Sequence, residues 1–106
     1  TAAFTNVMVA IEHQVQWIAD TIADLDARGL RTLEATPEAE AAWVAHVNAV
    51  AARTIYLGCN SWYLGANIPG KPRIFMPLFC FPAYVQKCAE VQQQGYAGFH
   101  LAPAPA

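Results

Sequence analysis

The stretch Gly65-Ala-Asn-Ile-Pro-Gly-Lys-Pro72 decides between two folds. A glycine, four residues and then Gly-Lys is the spelling of a phosphate-binding loop, which sits between a strand and a helix. That loop works because backbone N–H groups and the amino end of the helix surround the phosphates, while a Ser or Thr after the Lys holds magnesium. Here the position after the Lys is Pro72, which has neither hydroxyl nor N–H, and Pro69 removes a second donor. The residues that follow, Arg73-Ile-Phe-Met-Pro77, are bulky and apolar, so they predict a short strand over 73–76 where the helix is required. The octapeptide therefore belongs to a long irregular loop, residues 58–73, with two glycines and two prolines between Gly65 and Pro72. Long ordered loops in small domains are usually functional.

Working outward, Ile11, Val15, Ile18, Ile22 and Leu25 recur at steps of four and three, which predicts a helix over 7–28 with one apolar stripe, ended by Gly29. Thr5 or Asn6 can cap its start, leaving other N–H groups to face a ligand. Thr36-Pro37-Glu38 supplies a cap, a first-turn proline and an acid suited to the positive end of a second helix. Trp43, Val47 and Val50 mark its apolar face, and it is expected to run to about Tyr56. Pro82 starts a third helix with Tyr84, Cys88 and Val91 on its apolar side and Gly95 past its end. The expected fold is mainly α, an α+β fragment of about three helices with one short strand. Residues 1–101 form this segment, and the tail 102–106 is expected to be disordered.

The composition is odd for a chain of 106 residues: 56% is hydrophobic, and 13% is charged, against about 25% in an ordinary soluble domain. Charges or Gln interrupt every apolar run, so no segment predicts a membrane span. The surplus apolar surface calls for cover by protein or ligand. A net charge of −2 with scattered Lys and Arg gives no attraction for nucleic acid. Cys59, Cys80 and Cys88 are three in number and lack Cys-x-x-Cys spacing, which fits a reducing cytoplasm. The opening Thr-Ala-Ala-Phe has no initiator Met or signal segment, so the amino end reads as cut from a longer chain.

Most chemical constellations fail on composition or spacing. His13, His46 and His100 are far apart and belong to no metal-ligand frame. Gly58-Cys-Asn-Ser-Trp62 echoes a nucleophile region, but nothing supplies a positioned His and oxyanion donors to Cys59. Glu38 and Glu40 are accounted for by helix electrostatics. Trp62 beside Tyr63 remains, either as a core plug or as a lid whose indole N–H reaches a ligand oxygen.

The run Ser61-Trp-Tyr-Leu-Gly-Ala-Asn-Ile-Pro-Gly-Lys-Pro-Arg-Ile-Phe-Met-Pro77, with Phe81-Pro-Ala-Tyr84, Cys88-Ala-Glu-Val91 and Gly95-Tyr-Ala-Gly-Phe99, resembles the carboxy-terminal part of Baeyer–Villiger monooxygenases of the cyclohexanone, phenylacetone and steroid type. Thr5-Asn-Val-Met-Val-Ala-Ile-Glu-His-Gln-Val-Gln-Trp-Ile18 is similar to the segment where that family's chain returns to the flavin domain. The resemblance implies the end of an FAD-binding α/β domain, in an enzyme that uses FAD, NADPH and oxygen to convert a ketone to an ester or lactone. It implies that Trp62 contacts the nicotinamide ribose when a mobile loop closes. Asn67 and Lys71 then belong to the coenzyme-binding loop, Asn6 and Val7 lie beside the isoalloxazine ring, and Met76 borders the ketone pocket. Where relatives commonly carry Gly-Gly before the third helix, this chain has Phe79-Cys80, which lack glycine's backbone freedom.

Two functions are consistent with these residues. In one, the chain completes a flavoenzyme whose dinucleotide fingerprints lie elsewhere, its partner is the remainder of that enzyme, and it is inactive alone. In the other, it is a small helical binding module that self-associates through its apolar faces as a homo-oligomer.

Overall fold

A computed structural model describes residues 5–75 and 80–103. Along the chain run helix α1 (Val7–Ala27), strand β1 (Thr32–Ala35), helix α2 (Pro37–Ala51), two single 3₁₀ turns (Ile55–Gly58 and Trp62–Leu64), helix α3 (Phe81–Gln93) and strand β2 (Phe99–Ala102). The three expected helices are present, and their ends follow local chemistry. Asn6 caps α1, its Oδ1 accepting from the N–H groups of Met8 at 3.0 Å and Val9 at 3.4 Å. Thr36 Oγ1 accepts from Ala39 N–H at 3.2 Å, with Pro37 in the first turn of α2. Helices α1 and α3 stop by the same device. The N–H groups of Leu30 and Tyr96 reach back to the carbonyls of Leu25 and Val91 at 2.8 Å, across Gly29 and Gly95 in the left-handed region.

The strands lie elsewhere than expected. Residues 71–75 have no regular structure, and Met76 lies outside the described residues. A strand needs a neighbouring backbone to take its N–H groups; Phe75 N–H instead donates to the side chain of Asn48 at 3.1 Å, and its ring is buried against α2. The two strands that do form pair antiparallel, with Thr32 opposite Ala102 and Ala35 opposite Phe99. Each has four residues and includes Ala, Glu or His, which carry little strand signal. Ala102 is therefore part of β2 and not of a disordered tail, and 104–106 lie outside the described residues. Gly98 makes the entry to β2 possible: its φ is +87°, its carbonyl accepts from Thr36 N–H at 2.9 Å, and a Cβ there would stand 2.9 Å from that of Ala39.

Helix α2 also ends earlier than expected, at Ala51 instead of near Tyr56. Thr54 explains the break, since its Oγ1 donates to the Ala51 carbonyl at 2.7 Å and accepts from Tyr56 N–H at 3.3 Å, opening the 3₁₀ turn.

The core is small. Val47, Ala51, Leu64 and Phe75 form its buried centre, with Trp43, Val50, Tyr56, Tyr63 and Tyr84 packed against it. The expected face of α2 is thus the one that packs. Helices α1 and α3 meet through Trp17, whose indole N–H donates to the Cys88 carbonyl at 3.1 Å and whose ring meets Tyr96 edge-on at 6.4 Å. On α1 the inward residues are Ala10, Thr21 and Leu25. Of the expected stripe only Leu25 is buried; Ile11, Val15, Ile18 and Ile22 are 42%, 60%, 52% and 57% exposed. The radius of gyration is 16.1 Å, against about 13 Å for a compact chain of this length. The accessible surface is 7187 Å², about 1,400 Å² more than a compact monomer of this mass presents. No helix among the described residues is long and apolar enough to cross a membrane.

Candidate functional site

The loop after α2 is held at two points and exposed between them. At its start Ser61 Oγ accepts from Tyr63 N–H at 3.3 Å and sets the turn Trp62–Leu64. Gly65, at φ +66°, ends that turn and gives its N–H to the Trp62 carbonyl at 2.9 Å. Leu64 is fully buried and Phe75 is 1% exposed, so these two side chains pin the loop to the core. Asn67, Ile68, Pro69, Gly70 and Lys71 between them are exposed. The turns are closed by Ile68 N–H to the Gly65 carbonyl at 3.0 Å and Lys71 N–H to the Ile68 carbonyl at 3.3 Å. The Lys71 side chain crosses Gly65 so closely that a Cβ there would lie 3.2 Å from its Cδ. Arg73 hydrogen-bonds Asn60 across the base of the loop.

Trp62 is 60% exposed, so within this chain it plugs no core. Its ring lies on Tyr63 with centroids 4.1 Å apart. Tyr63 in turn meets Tyr56 at 6.3 Å and Phe75 at 6.2 Å. The indole is thus a large aromatic surface, carried on a packed tyrosine, with its N–H making no hydrogen bond among the described residues.

At the start of α1, the Asn6 side chain is committed to the cap and its carbonyl takes Ala10 N–H at 3.1 Å. Val7 is exposed, and its N–H has no partner among the described residues, at the end of the helix where the backbone dipole is positive. No hydrogen bond or ring contact among the described residues joins this terminus to the loop. The structure therefore brings Trp62 and Lys71 onto one loop with Asn67, places Asn6 and Val7 on a separate element, and leaves Met76 undescribed.

Sequence reasoning missed two hollows. A cleft of about 690 Å³ opens between α2 and α3, lined chiefly by Trp17, Trp43, Tyr84, Val91 and Phe99. A smaller one of about 230 Å³ lies between α1 and α3, where His13 sits with Tyr84 and Cys88. The His13 ring meets Phe81 edge-on at 5.7 Å, and its Nε2 is buried without a partner among the described residues. Burial, reinforced by the neighbouring Cys88, pushes the Tyr84 phenol above its ordinary range. Burial likewise pushes the Cys88 thiol up, so it stays protonated at neutral pH and is a poor nucleophile. The signal for this cluster was present as His13 and the Tyr84–Cys88 helical pair, but only packing shows that they share one pocket. Among the described residues no group of three or more His, Cys, Asp or Glu could hold a metal ion.

Cys80 stands at φ +69° just before α3 and makes no capping bond through its side chain. Glycine adopts that conformation without strain, whereas a cysteine there carries a structural cost. Phe79 lies outside the described residues.

No protein-family profile matches the chain. It is 38% identical over 102 residues to acetone monooxygenase (methyl acetate-forming) of Gordonia sp., covering 95% of this chain and 19% of that protein. It is 39% identical over 94 residues to a Baeyer–Villiger monooxygenase of Pseudooceanicola batsensis, covering 88% of this chain and 17% of that protein. The chain matches the carboxy-terminal part of Baeyer–Villiger monooxygenases. The crystal structure of cyclohexanone monooxygenase from Rhodococcus sp. Phi1 bound to NADP+ agrees, superposing with a TM-score of 0.85 at 39% identity over 95% of this chain and 19% of that one. The chain thus spans less than a fifth of the length of these monooxygenases.

Proposed function

We propose that this chain is the carboxy-terminal segment of an FAD- and NADPH-dependent monooxygenase that converts a ketone to an ester or lactone. Its part is to close the coenzyme site. The exposed Trp62, on a loop pinned at Leu64 and Phe75, carries the proposal. An indole on the surface of a small apolar chain has an available N–H donor and a broad face, which suit a ribose hydroxyl and the edge of a nicotinamide. Lys71, folded over Gly65, adds a positive charge on the same loop for a phosphate-bearing coenzyme. At α1, the Val7 N–H and the positive helix end suit the acceptor atoms of a flavin ring. Bound FAD and NADPH supply the reducing power and the oxygen chemistry; these residues bind, orient and exclude water. Met76, outside the described residues, is assigned to the ketone pocket by the family resemblance alone.

The exposed face of α1 supports the same assignment, because Ile11, Val15, Ile18 and Ile22 require cover that the remainder of the enzyme provides. That face also supports the alternative of self-association. Light scattering of the isolated chain tests the second reading: self-association predicts a dimer or larger species, and a monomer counts against it. The direct test is purification of the full-length enzyme. It should retain FAD, and NADPH should bleach the flavin absorbance anaerobically, while the isolated chain oxidises no ketone when mixed with both. A full-length product that binds no flavin would end the proposal.

A further inference from the structure

We infer that Asn48 is a positioning residue for the Trp62 loop, fixing the loop's second anchor to α2 and thereby the place of the indole. The inference rests on the coenzyme-facing reading of Trp62. Asn48 lies in the interior of α2, on the side of Val44, Val47 and Ala51, where an apolar side chain would serve helix and core better. Both ends of its amide are used. Nδ2 donates to the Val44 carbonyl one turn back at 2.8 Å, which orients the group, and Oδ1 accepts from Phe75 N–H at 3.1 Å. Residues 71–75 pair with no strand among the described residues, so the Asn48 bond anchors the backbone of the buried Phe75 where no ladder does. From Phe75 the contacts lead to Trp62 in two steps: its ring meets Tyr63 at 6.2 Å, and Tyr63 carries Trp62 at 4.1 Å. Tyr56, at 5.7 Å from Phe75 and 6.3 Å from Tyr63, braces the same stack. Loss of the Asn48 bond frees the backbone on which this stack rests, while leaving the start of α1 untouched.

The test uses the full-length enzyme with Asn48→Leu, which keeps the size and removes both bonds, and Asn48→Asp, which keeps an acceptor for Phe75 N–H. In Asn48→Leu the Phe75 amide should exchange with solvent up to about tenfold faster, the factor one net hydrogen bond supplies. KM for NADPH should rise several-fold with FAD content and kcat near those of the parent. Asn48→Asp, which still accepts from Phe75 N–H but no longer donates to the Val44 carbonyl, should recover part of both effects. Asn48→Ser, too short to reach the Phe75 N–H, replaces the Leu variant if that fails to accumulate and carries the same expectation. Unchanged Phe75 exchange, or a loss of FAD, kcat and thermal stability that Asp fails to rescue, overturns the inference. If Phe75 exchange responds while Trp62→Ala leaves coenzyme kinetics intact, the anchor stands as a structural fact and the coenzyme reading of the loop is what fails.

Discussion

Replacing Trp62 with alanine separates a coenzyme contact from a packing residue, because the structure sets the packing cost in advance. Trp62 is 60% exposed, so only about two-fifths of its surface is covered. Full burial of a Trp removes up to about 250 Å² from water. Two-fifths of that at about 25 cal/mol per Å² gives an upper limit of ~2.5 kcal/mol, which alanine's own share and a compact unfolded chain bring down to about 1–2 kcal/mol. Leu64, two residues on and fully buried, should cost about 2–5 kcal/mol on the same change. In the full-length enzyme, Trp62→Ala should therefore melt only slightly early and keep its FAD. Loss of one hydrogen bond and a ring contact should raise KM for NADPH about tenfold. Trp62→Phe, which keeps the ring on Tyr63 and loses the N–H, should fall between the two. Steady-state kinetics at varied NADPH, flavin absorbance and thermal melts make the comparison. If Trp62→Ala destabilises as much as Leu64→Ala and leaves KM for NADPH alone, Trp62 is a packing residue and the coenzyme argument is wrong.

Gly98→Ala should destabilise by about 1–3 kcal/mol in a denaturant melt, because its left-handed backbone and the 2.9 Å approach to Ala39 both oppose a Cβ. Cys80→Gly should raise the melting temperature modestly: relief of about 1–2 kcal/mol of backbone strain outweighs the ~0.4–1 kcal/mol of added unfolded-state freedom, and a fall would mean that the Cys80 side chain makes contacts of its own. Cys88 and Tyr84 hold their protons more tightly folded than unfolded, so their contribution is complete below the ordinary thiol range. It should fade as pH rises through their raised values, visible as a melting temperature that drops in alkali less steeply in Cys88→Ala. Thiol labelling at neutral pH should reach exposed Cys59 and Cys80 before Cys88.

Four helix ends were legible because capping chemistry is local: Asn6, Thr36, Gly29 and Gly95 act as their types predict, whereas the end of α2 at Ala51, expected near Tyr56, was not. The face of α2 was legible for the same reason that the face of α1 misled. Periodicity finds apolar surface but not its partner, and on α1 the chain's own neighbours cover Ala10, Thr21 and Leu25 while the aliphatic stripe faces outward. Of the strand expected over 73–76, residues 73–75 are irregular, and a side chain, Asn48, takes the Phe75 N–H that a ladder would have used. Of the candidate site, the sequence left Trp62 open between plug and lid, and exposure decides against the plug within this chain. The Tyr63–Phe75–Asn48 support under it joins residues far apart in sequence, and no local signal marks such contacts.

The central claim is tested most directly by the product of the full-length enzyme. Supplied with NADPH, isotopically labelled oxygen and ketones from acetone to cyclohexanone, it should release at least one ester or lactone carrying a single labelled oxygen atom by mass spectrometry. NADPH consumed with labelled peroxide as the sole product, or no consumption with any ketone, would contradict it.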